Sequence, residues 1–177
     1  MAKEESGAPE RTVVQQDAGQ QQIRESAARV QQALAALGIT AVVREMPATT
    51  RTAKEAAEAV GCQVGQIAKS LIFRGARTGR AVLIIASGSN RVNEKAMAAI
   101  VGEPIERATP EFVREATGFA IGGVPPLGHK AAIATWFDEA LLGYERIWAA
   151  AGTPFAVFEI APQELLRATG ATLVKCG

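Results

Sequence analysis

Apolar side chains at Ile23, Ala27, Val30, Leu34 and Leu37 recur every three or four residues and stop at Gly38, the pattern of a helix with one buried face and a glycine placed to end it. Residues 40–46 then predict a strand, stopped by Pro47, and Thr52 stands as the N-cap of a helix over residues 53–60 that ends at Gly61. Two strongly apolar runs follow, at 68–73 and 80–86, separated by the turn-forming Gly75-Ala76-Arg77-Thr78-Gly79; they are expected to pair as an antiparallel hairpin. Asn93 caps an expected helix over 94–101, and Thr109-Pro110-Glu111 opens another, with proline at its first position, that ends near Gly118. Beyond a Gly/Pro-rich loop the pattern predicts a strand at 131–136, a helical turn at 138–142, strands at 145–149 and 155–160, and a final helix at 162–169.

No βαβ unit carrying a nucleotide fingerprint is present, so these elements point to an α+β domain with a mixed or mainly antiparallel sheet surrounded by helices. A chain of 177 residues suits one domain, and 48% hydrophobic against 21% charged residues suits a folded core. Residues 1–20 show no hydrophobic period and are expected to be a flexible N-terminal extension to a domain at 21–177. Lysine plus arginine (19) nearly balance aspartate plus glutamate (18), so any nucleic-acid footprint should be local rather than spread over the surface. No apolar run approaches membrane-spanning length and none has signal-peptide form, which makes the cytoplasm the expected location. Cys62 and Cys176 are too few for a disulfide scaffold and are read as reduced thiols.

Two features carry candidate chemistry. Strand alternation puts Lys69 on the same face as Leu71 and Phe73, with Ser70 and Ile72 on the other. Such a lysine either covers an edge strand with its stem or is a fixed cation that holds a phosphate or polarises an ester carbonyl. The run Ile121-Gly122-Gly123-Val124-Pro125-Pro126-Leu127-Gly128-His129 is either a sharp structural turn or a stiffened loop whose glycines let backbone N–H groups approach a ligand. Gly123 and Gly128 have phosphate-loop spacing, but His129 stands where the lysine should be and Lys130 precedes Ala131, which excludes that motif. His129 is the only histidine, so a histidine-rich zinc site is excluded and any thiol or serine triad would have to use it; Cys62 is a candidate partner, although its place after Gly61 amid apolar neighbours reads first as a small buried side chain. Trp136 and Trp148 read as core residues, with a base-stacking wall as the alternative, and Arg51, Arg74, Arg77 and Arg80 as surface charges able to steer a phosphate backbone.

The strings Ile67-Ala68-Lys69-Ser70-Leu71-Ile72-Phe73 and Thr117-Gly118-Phe119-Ala120 running into the 121–129 loop resemble the YbaK/ProX family of free-standing tRNA-editing proteins, relatives of the editing insertion of bacterial prolyl-tRNA synthetase. The resemblance runs from about residue 29 to residue 175 and includes Asp138 and Ile147-Trp148-Ala149-Ala150-Ala151-Gly152. It implies a curved mixed sheet and hydrolysis of an aminoacyl ester at the acceptor end of a mischarged tRNA, without metal or other cofactor. It further implies Lys69 as the essential lysine, Gly122 as the backbone donor at the ester, and Ser70, Gly123, Val124, Pro125, Pro126, His129 and Ala150 as substrate-binding positions. A hydroxyl of the substrate's own terminal ribose would orient the water, so no protein base is required. The branch that removes cysteine from proline tRNA carries serine and aspartate at the positions of Ala150 and Val157, and serine at that of Pro125. The more apolar pocket of this chain favours a small aliphatic group such as alanine over cysteine. Association with an aminoacyl-tRNA synthetase is a further implication, with oligomeric state left open. The competing readings are a noncatalytic RNA-end or DNA-binding module on the same fold, and a thiol hydrolase built on Cys62 and His129.

Overall fold

The computed structural model describes residues 10–177, with side chains from residue 18 onward. Residues 1–9 of the expected flexible extension lie outside the described residues. The first helix, α1 (Glu10–Ala36), begins eleven residues before the expected start at Gln21. Gln, Glu, Arg and Ala favour helix without needing burial, and residues 18–22 are exposed and stand outside the core. Its C-terminal half does, through Val30 and Leu34.

Residues 40–46 form far less strand than expected: only β1 (Arg44–Glu45) pairs in the sheet. The reason is a side chain. Gln31 of α1 donates its amide to the Ala41 carbonyl at 3.1 Å and accepts the Val43 N–H at 2.8 Å, taking the place of a strand neighbour. The capped helices lie where local chemistry puts them: α2 (Ala53–Val60), α3 (Glu94–Val101) and α4 (Pro110–Thr117) start at Thr52, Asn93 and Thr109, each accepting an N–H of the first turn, and end at left-handed glycines 61, 102 and 118.

The expected hairpin is present as β2 (Ile67–Gly75) and β3 (Ala81–Ser87), antiparallel from Ala68↔Ser87 to Arg74↔Ala81. The remaining strands are β4 (Ile105–Arg107), β5 (Ala134–Asp138), β6 (Ile147–Ala150), β7 (Ala156–Ile160) and β8 (Thr172–Val174), with helix α5 (Pro162–Thr169) before the last. They make one mixed sheet in the order β1-β7-β6-β2-β3-β5-β8, with β4 also on β2. Strand β5 lies three residues later than the pattern suggested, because Ala131 and Ala132 are exposed loop residues whose apolar character carries no period.

Central strand β3 is buried on both faces. Leu83 and Ile85 face the main core with Val30, Leu34, Phe119, Phe137 and Phe158, while Val82, Ile84 and Ala86 face a second core with Phe73, Leu71 and Met97 of α3. A third cluster packs Ala56 and Ala57 of α2 on Ile67, Trp148 and Val157. Strand β2 is satisfied by β3 along one edge, but its other edge is shared: β6 covers only Ile67 and Ala68, and β4 covers only Phe73 to Gly75. Among the described residues, 69–72 thus have no partner strand on that side, and the sheet is open at its middle.

Candidate active site

The gap beside β2 opens into a cavity of about 960 Å³. Lys69 and Ser70 lie in its floor, Gly122, Gly123 and Val124 form one wall, and Trp148, Ala149, Ala150 and Val157 form another. Lys69 shares its strand face with Leu71 and Phe73, which pack in the α3 core, while Ile72 packs in the main core, so the alternation read from sequence holds. The Lys69 ammonium donates to the Asn90 carbonyl at 2.7 Å. Burial holds it below the usual lysine range, and the nearby Asp138 carboxylate and Cys176 sulfur work in the opposite direction. Ser70 Oγ is shielded from solvent and has no hydrogen-bond partner among the described residues.

The Gly122 to Val124 wall is built on a turn. Gly123 N–H donates to the Ala120 carbonyl at 3.2 Å, with Ile121 and Gly122 in the central positions. Gly122 has φ +96°, the positive angle that the third position of a type II turn demands. Gly123 N–H is therefore committed to the turn, and the expectation that it offers a second donor to a ligand gives way. Gly122 N–H belongs to the central peptide, which makes no turn bond, and it has no acceptor among the described residues. The turn is fastened behind by Gly152 N–H on the Gly123 carbonyl at 2.8 Å, and Gly123 rests directly on the Thr153 backbone.

Pro125, Pro126 and His129 do not line the cavity. The two prolines are buried under the loop, and His129 Nε2 lies 2.7 Å from the Pro125 carbonyl. A carbonyl only accepts, so Nε2 carries the proton and the imidazole acts as a staple. Burial holds His129 below its ordinary 6.5, the hydrogen bond to Pro125 opposing this in part. The folded state therefore resists a proton that the unfolded chain accepts. Stability from this group is complete above 6.5 and is lost as pH falls from there through the depressed folded value. We expect the wild-type melting temperature to drop more between pH 7 and pH 5.5 than that of His129→Gln, which keeps an N–H for Pro125 without the titration; equal drops in thermal melts would discount the effect.

Cys62 Sγ donates to the Gln63 carbonyl at 3.3 Å, burial raises its pKa, and no hydrogen bond joins it to His129. With both groups occupied separately, a thiol–imidazole pair is not formed. Of the four arginines read as phosphate-steering, only Arg51 reaches the cavity. Arg74 pairs with Glu106 at 3.8 Å and sits over the Phe112 ring, and Arg77 donates to the Gly102 carbonyl. Instead Arg91, in the loop after β3, and Arg107, on β4, join Arg51 at the mouth with Glu94. Nothing in the sequence marked them, because their placement depends on which strand closes the far end of the gap. Trp148 stands in the wall, with the Arg44 guanidinium 5.4 Å from its ring centre, while Trp136 packs in the α3 core.

Among the described residues no three His, Cys, Asp or Glu side chains converge as a metal site, and no helix is long and apolar enough to cross a membrane. The aminoacyl-tRNA editing domain family matches residues 47–168, which takes in α2 through most of α5 and every cavity residue named above. A protein of Bacillus subtilis, YwhH, is 32% identical over 123 residues, spanning 70% of this chain and 78% of its own. EbsC of Enterococcus faecalis, a candidate Cys-tRNA(Pro)/Cys-tRNA(Cys) deacylase, is 30% identical over 67% of this chain and 72% of its own. The crystal structure of a candidate trans-editing enzyme for prolyl tRNA synthetase superimposes with TM-score 0.81 at 54% identity, covering 85% of this chain and 96% of that one. Fold, cavity and sequence agree: the chain belongs to the aminoacyl-tRNA editing domain family, in its YbaK-like group.

Proposed function

We propose that the chain is a trans-editing hydrolase that removes a small amino acid from mischarged tRNA, and that Lys69 and Gly122 N–H together stabilise the reacting ester. The observation that supports this most directly is that Lys69, its ammonium held on the Asn90 carbonyl, and Gly122, whose N–H has no acceptor among the described residues, line the same cavity. In the reaction, water adds to the ester carbonyl carbon, the carbonyl oxygen becomes an oxyanion held by these donors, and collapse expels the ribose oxygen, which takes a proton. An aminoacyl ester is already activated, so orientation and two donors suffice without a protein nucleophile. The neighbouring ribose hydroxyl orients the water.

The pocket walls favour a small aliphatic side chain. The side chains of Ala149, Ala150, Val124 and Val157 offer no hydrogen bond to a thiol or hydroxyl, and with Ser70 Oγ the hydroxyl left in the floor, alanine is the preferred substrate over cysteine on the balance of an apolar lining. The relatives named for proline tRNA and prolyl tRNA synthetase support that tRNA as carrier and that synthetase as companion. A panel of tRNAs charged with alanine, cysteine, serine and proline, followed by release of free amino acid, tests the reading. Loss of alanine should be fastest. Binding without release above spontaneous ester hydrolysis for every member would leave only a noncatalytic RNA-end module.

Arg51, Arg91 and Arg107, all exposed, surround the mouth and are placed to meet the acceptor-end phosphates. Replacing any one with alanine should weaken tRNA binding and flatten the plot of log affinity against log salt by about 0.7 to 0.9, the increment for one lost phosphate contact. Unaltered salt slopes in all three would place the tRNA elsewhere.

A further inference from the structure

A lysine ammonium has three N–H donors. Lys69 uses one on the Asn90 carbonyl, leaving two for whatever enters the cavity. Asn90 lies in the turn after β3, its own N–H donating to the Ser87 carbonyl at 3.0 Å. Its side chain reaches the other way and donates Nδ2 to Asp138 Oδ2 at 3.0 Å. Asp138 is only 1% exposed. Oδ2 also accepts the Ser87 N–H at 3.0 Å, and Oδ1 accepts the Ala140 N–H at 3.1 Å.

Capping the short 3-10 turn after β5 would account for the Ala140 bond alone. The second oxygen is committed to both ends of the turn that carries Asn90, and a carboxylate buried this deeply is retained against a substantial desolvation cost. Just beyond that turn, the N-cap Asn93 donates its N–H to the Cys176 carbonyl at 2.9 Å. The groups that act electrostatically on Lys69 are Asp138 from β5 and Cys176, whose thiol burial pushes up to about 12, while Arg51, Arg91, Glu94 and Arg107 line the same cavity.

We propose that Asn90 and Asp138 are positioning residues for editing: Asp138 fixes the 87–90 turn, and the Asn90 carbonyl aims the Lys69 ammonium so that two donors point into the cavity. This rests on the deacylase reading of the same cavity, and its test has a readout that does not need turnover. In protein labelled with 13C-lysine, the Lys69 Cε signal, assigned by its loss in Lys69→Arg, is titrated alongside single-turnover deacylation. Asp138→Asn should lower the Lys69 midpoint, because the anion that favours the ammonium is gone, and slow deacylation roughly tenfold to a hundredfold through misalignment. Asn90→Ala removes only a side chain bonded to Asp138, so it folds even if Asp138→Asn does not; it should shift the same signal and slow the same step with tRNA affinity unchanged. Wild-type midpoint and wild-type turnover in a folded Asn90→Ala protein would overturn the proposal, and so would a slowdown with an unmoved midpoint, which marks a merely structural effect. If the midpoints shift as expected but no aminoacyl-tRNA is hydrolysed, the positioning stands and the editing reading falls.

Discussion

Lys69→Ala is expected to slow single-turnover deacylation by roughly a hundredfold to a thousandfold, the range for removing one donor from a developing oxyanion. The melting temperature should change little. The half-buried ammonium gains a hydrogen bond to the Asn90 carbonyl but loses hydration, and alanine gives up both together. Lys69→Arg should recover only part of the rate, since a planar guanidinium cannot occupy the same point at 2.7 Å from that carbonyl. If Lys69 acts as the proposed cation, its protonated form does the work, so wild-type turnover, corrected for spontaneous hydrolysis, should decline with rising pH before the ordinary lysine value of 10.5 is reached. Turnover that survives in Lys69→Ala would remove this lysine from the mechanism.

Features written in local chemistry were legible from the chain. Thr52, Asn93 and Thr109 could be read as caps because a side-chain oxygen and the N–H it accepts lie three residues apart. The β2–β3 hairpin could be read because its turn is short and its two runs are apolar. Strand β4 has three residues and forms only against β2, and β1 gives up its expected length to Gln31 of the preceding helix; both depend on contacts between elements that a local pattern does not show. The same division runs through the site. Lys69 stood out because a charge on an apolar strand face is anomalous wherever it occurs. The open edge at residues 69–72 did not, because it exists only once β6 and β4 have each taken one end of β2. The Gly/Pro loop was legible as a constrained element, but which of its N–H groups is spent was not. That is decided by the Ala120 carbonyl, which takes Gly123 and leaves Gly122.

The two loop glycines should consequently fail in different ways when each is changed to alanine. A Cβ on Gly123 would lie 2.6 to 2.7 Å from three backbone atoms of Thr153, and backbone cannot rotate aside as a side-chain tip can. Relief requires the turn and the β6–β7 connection to separate, breaking the Gly152-to-Gly123 hydrogen bond. Gly123→Ala should therefore destabilise the fold by about 3 kcal/mol or more, the upper end for overpacking a close contact, with a clear fall in melting temperature. A Cβ on Gly122 meets only Arg51 Cγ at 3.3 Å, and that exposed side chain can yield. The penalty there comes from φ +96°, which an L side chain resists by about 1 to 2 kcal/mol. The turn can escape it by rotating its central peptide from the type II to the type I arrangement. That peptide carries the Gly122 N–H, so the relaxation that spares stability turns the proposed donor away from the cavity. Gly122→Ala should thus melt close to wild type yet lose about a hundredfold in deacylation rate, and Gly122→Asn, which tolerates positive φ better, should lose less. A Gly122→Ala protein with full activity would show that the donor at the ester lies elsewhere, whatever Gly123→Ala does to the fold.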